Sequence, residues 1–280
     1  MIDVGKPIEE LTLMNDFMFV EVMRQERYCK PLLEYILKVK IRAIEYIGYQ
    51  ETIQPPSPAA KSIRLDVFVE DDQNTVYDIE VQTTNKYNLG KRTRYYQSMM
   101  DIMVLNRGAK YNELKKSFII FICNYDPFHS SRYVYTFRTR CDEVPDEVLK
   151  DEATKIIINT KGTVGDISDD LKAVIQYLNS GIPSNEYTEE LDAEVQSVKA
   201  NEKVRMSYML YQEALAMADQ YGRYKSKVEL IRYNMNEFSS SDLAKIMRVS
   251  LDICKSVIET IQSHPDWNDE QVAEEIYWEE

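Results

Sequence analysis

The chain predicts an α/β core over about residues 10–165 followed by a helical C-terminal region, and three observations carry that class. Two short apolar strands, RLDVFVE and VYDIEVQ, lie on either side of the turn residues DDQN at 71–74. A helical stretch and three more strand-like runs follow within the next eighty positions. From about Gly165 onward the apolar spacing turns helical and stays so. Strands interleaved with helices call for a layered α/β core, and a long run of helical spacing beyond it calls for a separate helical region.

Taken in order, residues 15–38 carry helical spacing. Asn15 is a good N-cap ahead of Phe17, Val20 and Met23, and Leu32, Leu33, Ile36 and Leu37 repeat after Pro31. Proline suits a first helical turn, so two short helices divided at Pro31 are expected. Residues 41–49 alternate imperfectly and read as a strand, and QPPSPAAKS at 54–62 reads as a loop. In the strand pair, Leu65, Val67 and Val69 share one face opposite Asp66 and Phe68. On the second strand Tyr77, Ile79 and Val81 oppose Asp78, Glu80 and Gln82. Residues 90–105 read as a helix, 116–123 as a buried strand, and 133–138 and 155–159 as two more strands.

Helices are then expected at 167–178 and 191–218. In the tail, Ser241 is read as the cap of a short helix with Leu243, Ile246 and Met247 inward. A turn at 248–250 leads to a second helix with Ile253, Val257 and Ile261 inward. That is helix-turn-helix spacing. Its outward residues, Asp252, Lys255 and Ser256, are weakly basic at best, which favours a plain helical hairpin. The organisation expected is a core at 10–165, an acidic helical extension at 166–222 and a small helical tail at 223–280.

Composition narrows the function classes. With 44% hydrophobic residues and only 8 Gly and 9 Pro in 280, the chain reads as ordinary globular protein. The longest strongly apolar stretch, FIIFIC at 118–123, is far short of the roughly 18 residues a membrane span needs. The opening MIDVGKPIEE lacks the basic-then-apolar order of a secretion signal. Membrane and secreted classes are set aside on these grounds, and a cytoplasmic protein with reduced thiols is expected. Four Cys with no CxxC spacing and only two His argue against a structural zinc site and a His-based triad. The same shortage of His weighs against a tyrosine recombinase, despite 20 Tyr.

The net charge of −13 conceals a segregation. Residues 86–140 hold eleven Lys and Arg against three acids, whereas residues 141–220 hold seventeen acids against seven bases. A basic block inside an acidic chain is either a phosphate-binding face or a solvated face balanced by its neighbours, and charge alone does not separate the two.

Candidate chemistry concentrates in the strand pair. Asp66 and Glu80 are fourteen positions apart across a short turn, so antiparallel pairing brings both to one face, with Gln82 two residues further along it. Two carboxylates so placed suit a hard divalent cation, although solvent-facing carboxylates on a half-exposed sheet give the same spacing. The D…ExQ pattern on consecutive strands, followed by KRTRYYQSMMD, resembles the PD-(D/E)xK nuclease superfamily. Within it the chain looks like the recombination-promoting nuclease (Rpn), or transposase-like, branch. The likeness runs through NDFMF at Asn15, RLDVFVEDDQNTVYDIEVQ, KRTRYYQSMMDIMVLNRGAKYNELKKS, FIIFICNYDPF, NTKG at Asn159 and YM at Tyr208.

The resemblance implies a PD-(D/E)xK restriction-endonuclease-like core, a mixed sheet flanked by helices. It also implies a magnesium- or manganese-dependent DNA endonuclease linked to recombination or mobile-element movement. Asp66 matches the metal-bridging aspartate and Glu80 the second ligand. Gln82 stands where most of the superfamily has lysine, and it can orient a water but carries no charge and cannot act as a base. Glu34, in LLEYIL, matches an extra acidic ligand supplied by an early helix, with a solvent-facing carboxylate as the alternative. Arg92 or Arg94, together with Lys91 and Tyr96, are expected to contact DNA, with Tyr95 or Tyr96 as core aromatics in the other reading. DNA is the partner expected, with no membrane and with homo-oligomerisation left open. The rival readings are a catalytically weak DNA-binding protein on the same fold, and a regulatory protein whose acidic helical half docks a partner.

Overall fold

The computed structural model describes residues 5–49, 52–53, 63–105 and 108–277. It divides into two compact units, Met1–Arg205 and Met206–Glu280. In the first unit α1 (Asp16–Met23) begins where expected, with the Asn15 side chain accepting from Met18 N–H at 3.2 Å. The break to α2 (Glu26–Leu37) comes at Arg24 and Gln25 rather than at Pro31, which lies inside α2. Its ring forfeits one helical hydrogen bond there. Burial of Tyr28, Cys29, Leu32, Leu33 and Ile36 along one face keeps the helix continuous through it. Lys38 closes α2 in the left-handed conformation.

The strands are β1 (Ile44–Tyr49), the two-residue pair β2 (Thr52–Ile53) and β3 (Ile63–Arg64), then β4 (Val67–Asp71) and β5 (Val76–Gln82). The loop expected at 54–62 lies outside the described residues. Helix α3 (Leu89–Val104) follows, then β6 (Ser117–Cys123), β7 (Val134–Phe137) and β8 (Ala153–Asn159). Six strands form one sheet in the order β1-β4-β5-β6-β8-β7. β5, β6 and β8 run parallel, and β1, β4 and β7 pair antiparallel to their neighbours, which makes the sheet mixed as expected. The short turn between β4 and β5 is tied by the Asp71 carboxylate, which accepts from Gln73 N–H at 2.8 Å and Thr75 N–H at 2.9 Å. A turn that tight fixes the register of the pair.

One face of the sheet packs under α3. Phe68, Ile119, Phe121, Tyr135 and Ile157 from the strands meet Leu89, Tyr96, Met99 and Met100 from the helix. The period-2 rule puts Asp78, Glu80 and Gln82 on this same face, because Asp78 pairs in register with Phe68 and Ile119, and Glu80 with Phe121. α4 (Asp169–Ser180) and α5 (Glu186–Ala200) complete the first unit, capped by Ser168 and Asn185. Tyr187 of α5 donates its hydroxyl to the Tyr28 carbonyl at 2.6 Å, tying α5 to α2.

The single helix expected at 191–218 is instead two. α5 ends at Ala200, and after Asn201 α6 (Glu202–Asn234) starts and continues well beyond 218. The unit boundary falls inside α6, so the 166–222 segment is divided between the two units. The second unit adds α7 (Ser240–Met247), α8 (Leu251–Ser263) and α9 (Asp269–Tyr277), of which α9 was not foreseen. Ser239, not Ser241, caps α7; with three serines in a row, composition could not choose among them. Ile246 is exposed rather than inward. Leu243, Cys254, Val257 and Ile261 pack with Val228, Ile231, Val272 and Ile276 of the flanking helices, so the α7–α8 pair belongs to a small bundle. Among the described residues no helix is long and apolar enough to cross a membrane.

Candidate functional site

The β4–β5 register carries Asp66 to Glu80. Val67 faces Ile79 and Phe68 faces Asp78, so one further step sets Asp66, immediately before β4, opposite Glu80. The Asp66 backbone N–H donates to Glu80 Oε1 at 2.9 Å, and Asp66 Oδ2 accepts from Val81 N–H at 3.3 Å. These crossed bonds hold both carboxyls at the end of the hairpin remote from its turn. The cluster is dry: Asp66 is 9% exposed, Glu80 3% and Asp78 0%. Three carboxyls on a buried sheet face are far from the half-exposed arrangement that would make them ordinary surface acids.

Such burial must show in their acidity. Loss of water holds Glu80 well above the usual carboxylate range, and the charges of Asp66 and Asp78 push the same way. Asp78 is raised first by burial and then by Asp66. Neither Asp78 oxygen has a donor, and its neighbour is the Glu80 carboxyl, which supports a bond only when a proton lies between the two. Burial and mutual repulsion thus both favour the protonated forms of Asp78 and Glu80, and only the charge of Arg92 and a few hydrogen bonds pull the other way.

The basic group that answers these acids comes from α3. Arg92 donates through Nη1 to Gln82 Oε1 and through Nη2 to Tyr96 Oη at 3.1 Å, while Nη2 lies 3.7 Å from Glu80 Oε2. Its guanidinium stands 5.1 Å from the Phe121 ring centroid. Burial pulls against its charge, but Tyr96, Glu80 and Asp66 more than compensate, and Arg92 stays protonated. Gln82 in turn donates Nε2–H to the Thr84 carbonyl at 2.8 Å. Gln82 is thus a strut between Arg92 and the loop after β5.

Asp66, Glu80 and Gln82 converge as the sequence led one to expect. Arg92 and Tyr96, expected at a DNA contact, lie on the inner side of α3, where the 92-96-99-100 stripe turns toward the sheet. Lys91 and Arg94 point to solvent on the outer side of that helix. Glu34 is not brought to the cluster. Its carboxylate accepts from Ile41 N–H at 2.8 Å and Lys40 Nζ at 3.2 Å, closing the chain that leaves α2.

Sequence reasoning gave one participant no role and did not foresee the orientation of another. Asp78 was placed on the Glu80 face but given no role; the DxExQ alternation was the signal, since three polar residues on the inward side of a buried strand need a reason. The inward turn of Arg92 had no such signal, because it depends on how α3 packs across β5 and β6. Glu80 and Gln82 stand toward the carboxyl ends of the parallel strands β5 and β6, the usual ligand side of α/β sheets.

A family model described as PD-(D/E)XK nuclease family transposase matches residues 13–165, more than half of the chain. Neither a curated protein nor a solved structure matches it. The chain belongs to the PD-(D/E)XK nuclease family transposases.

Proposed function

We propose that this member of the nuclease family is a metal-dependent DNA endonuclease that hydrolyses phosphodiester bonds during recombination or mobile-element movement. The observation that carries the reading is the dry cluster of Asp66, Asp78 and Glu80 under one buried arginine. A fold does not bury three carboxyls together without a use for their charge. Oxygen donors of this kind suit magnesium or manganese. Among the described residues no three Asp, Glu, His or Cys side chains are gathered at ligand spacing. The protein's own ligands would then be the pair Asp66 and Glu80, with water and phosphate oxygens completing the shell, as is common for magnesium. A cation held there would lower the pKa of a bound water and stabilise negative charge on the phosphate.

The chain's own groups divide the remaining work. Asp66 and Glu80 orient each other through the crossed backbone bonds. Arg92 holds Gln82 and Tyr96 in place and keeps a fixed positive charge on the carboxylate side, where phosphate charge would otherwise be repelled. Gln82 cannot take a proton, so its part is to hold Arg92 and the loop at Thr84. Phosphate contacts outside the cluster fall to Lys91 and Arg94, which are exposed on α3. The engagement of both polar ends of Gln82 is also the one observation that favours a slow or purely DNA-binding protein on this fold.

Nicking of supercoiled plasmid by the full chain, with magnesium, with manganese and with chelator, tests the reading. Metal-dependent conversion to open circles that is lost in Asp66→Ala supports it. Salt-sensitive DNA binding with no conversion under any metal would overturn it in favour of the binding protein.

A further inference from the structure

From the loop between β6 and β7 and the strand that follows it, we infer that the chain has a stacking platform for unpaired DNA bases beside the carboxylate cluster. The platform is Phe128, 40% exposed, and Phe137, 43% exposed, with ring centroids 5.1 Å apart. Tyr135 lies beneath them, its ring 4.8 Å from Phe128. Large apolar rings left half in water on a loop tip and a sheet edge are the form a base-stacking surface takes.

The loop is built, not slack. Asp126 Oδ2 accepts from Ser131 N–H at 2.7 Å, and its Oδ1 accepts from Phe128 N–H at 3.1 Å and Tyr135 Oη–H at 2.8 Å. The wholly buried Asn159 donates Nδ2–H to the Arg132 carbonyl at 3.1 Å. Gly162 comes so close to Tyr133 that a Cβ would lie 2.6 Å from its backbone, which accounts for the glycine in NTKG. Within this frame His129 and Ser131 are held at φ of 57° and 54°, a conformation side chains disfavour. Strain fixed by so many bonds marks a loop that is shaped in advance for something.

Its position says for what. Asn124, the first residue after β6, donates its N–H to the Gln82 carbonyl at 3.2 Å, so the loop leaves the sheet beside the cluster. Glu80, Phe121, Ile157 and Tyr135 stand in one row across β5, β6, β8 and β7, on the same face. Three strand spacings of about 4.8 Å put Tyr135, on which the platform rests, roughly 14 Å from Glu80, within reach of one nucleotide strand. Arg132, in the same loop, is an exposed cation, and it lies in the block where eleven Lys and Arg face three acids. Aromatic faces beside a guanidinium group, within a nucleotide strand's reach of a phosphate-cleaving site, fit single-stranded DNA. The inference relies on the proposed nuclease reading only for the purpose of the strand; the binding itself does not need cleavage.

The test uses the full chain in chelator, with a fluorescent oligothymidine and a duplex of equal length read by anisotropy at one fixed salt concentration. Phe128→Leu with Phe137→Leu keeps apolar bulk and removes the rings. The doubly substituted chain should bind the single strand about 5- to 150-fold more weakly while duplex binding changes little, and Phe128→Tyr should keep single-strand binding. Unchanged single-strand binding, or equal loss on both DNAs, overturns the inference, and unchanged melting checks that the loop still folds. Plasmid nicking with magnesium separates the two claims. Ring-dependent single-strand binding without any nicking retains the platform and removes the nuclease reading; nicking without ring-dependent binding does the reverse.

Discussion

The β4–β5 hairpin and the α7–α9 tail follow opposite rules. In the tail the caps and most inward positions agree with the structure around them, the exposed Ile246 apart. Ser239 and Ser250 cap α7 and α8 through 3.2 Å bonds to the backbone N–H groups of Asp242 and Ile253, and the inward positions are Leu243, Val257, Ile261 and their like. In the hairpin the inward positions of a buried strand are Asp78, Glu80 and Gln82. The tail is a region whose residues serve folding, and the hairpin is one that folds despite its residues. Agreement at all levels is what stability selects, so a local breach with three members on one face marks a function. Charge points the same way: residues 206–280 hold seven Lys and Arg against fourteen acids, an unpromising surface for DNA.

The contrast is broken most directly by removing the breach. Asp66→Ala and Glu80→Ala should each reduce metal-dependent nicking to the level seen with chelator, while the melting temperature holds or rises, since each removes a buried acid. Wild-type nicking by either variant at saturating magnesium would mean that the cluster is not the site.

Arg92 gives the next effect. Arg92→Ala leaves Glu80 and Asp78 without their cation and Gln82 Oε1 without its donor, and cleavage should fall about 100- to 1,000-fold, the range for one preorganised electrostatic group. Gln82→Lys restores a positive charge from β5 itself. In the Arg92→Ala background it should recover part of the lost rate, and in the wild type it should do little, because Arg92 already occupies that charge position. No recovery in the double variant would mean that Arg92 acts by geometry and not by charge.

Much of this was legible in the chain because it depended on neighbours in sequence. β5 runs over the residues of the VYDIEVQ motif because period-2 alternation and the DDQN turn are local, and the Asp66–Glu80 pairing follows from the turn alone. What depended on packing across elements was not legible. Pro31 breaks helices in isolation but is carried by the buried face of α2. Glu34 sits among apolar residues, as an extra ligand would, yet it serves the backbone at Ile41. Arg92 and Arg94 are two positions apart on one helix, and only the orientation of α3 decides which of them faces the carboxylates.

Asp78 offers a smaller effect, on stability. Its folded pKa is raised above the ordinary 3.8, so the native state holds more protons than the unfolded chain once the pH exceeds that value. Stability then falls as pH rises from about 4, until the folded group itself ionises. Asp78→Asn should remove that penalty. In chelator its melting temperature should match wild type near pH 4 and exceed it by a few degrees at pH 7, about 1–2 kcal/mol for an unsatisfied buried group. A constant difference across the range would mean that shape, and not charge, is responsible.

The smallest effect tests the tail. Ser239 accepts from Asp242 N–H and donates its own Oγ–H to Asp242 Oδ2 at 2.6 Å, so Ser239→Ala removes both bonds at the start of α7. Loss of a serine cap costs about 0.5–2 kcal/mol. Because Leu243 and Ala244 are the buried residues of that short helix, the loss should appear as faster amide exchange in α7 and in the Cys254 and Val257 turn of α8 that packs with it. Exchange in β5 and α3 should stay as it is, and so should the nicking rate. That is the outcome for a region whose residues serve only its own folding. A nicking rate that falls with tail protection would place α7 and α8 in the DNA path, and the helix-turn-helix spacing would then have to be read as a recognition element after all.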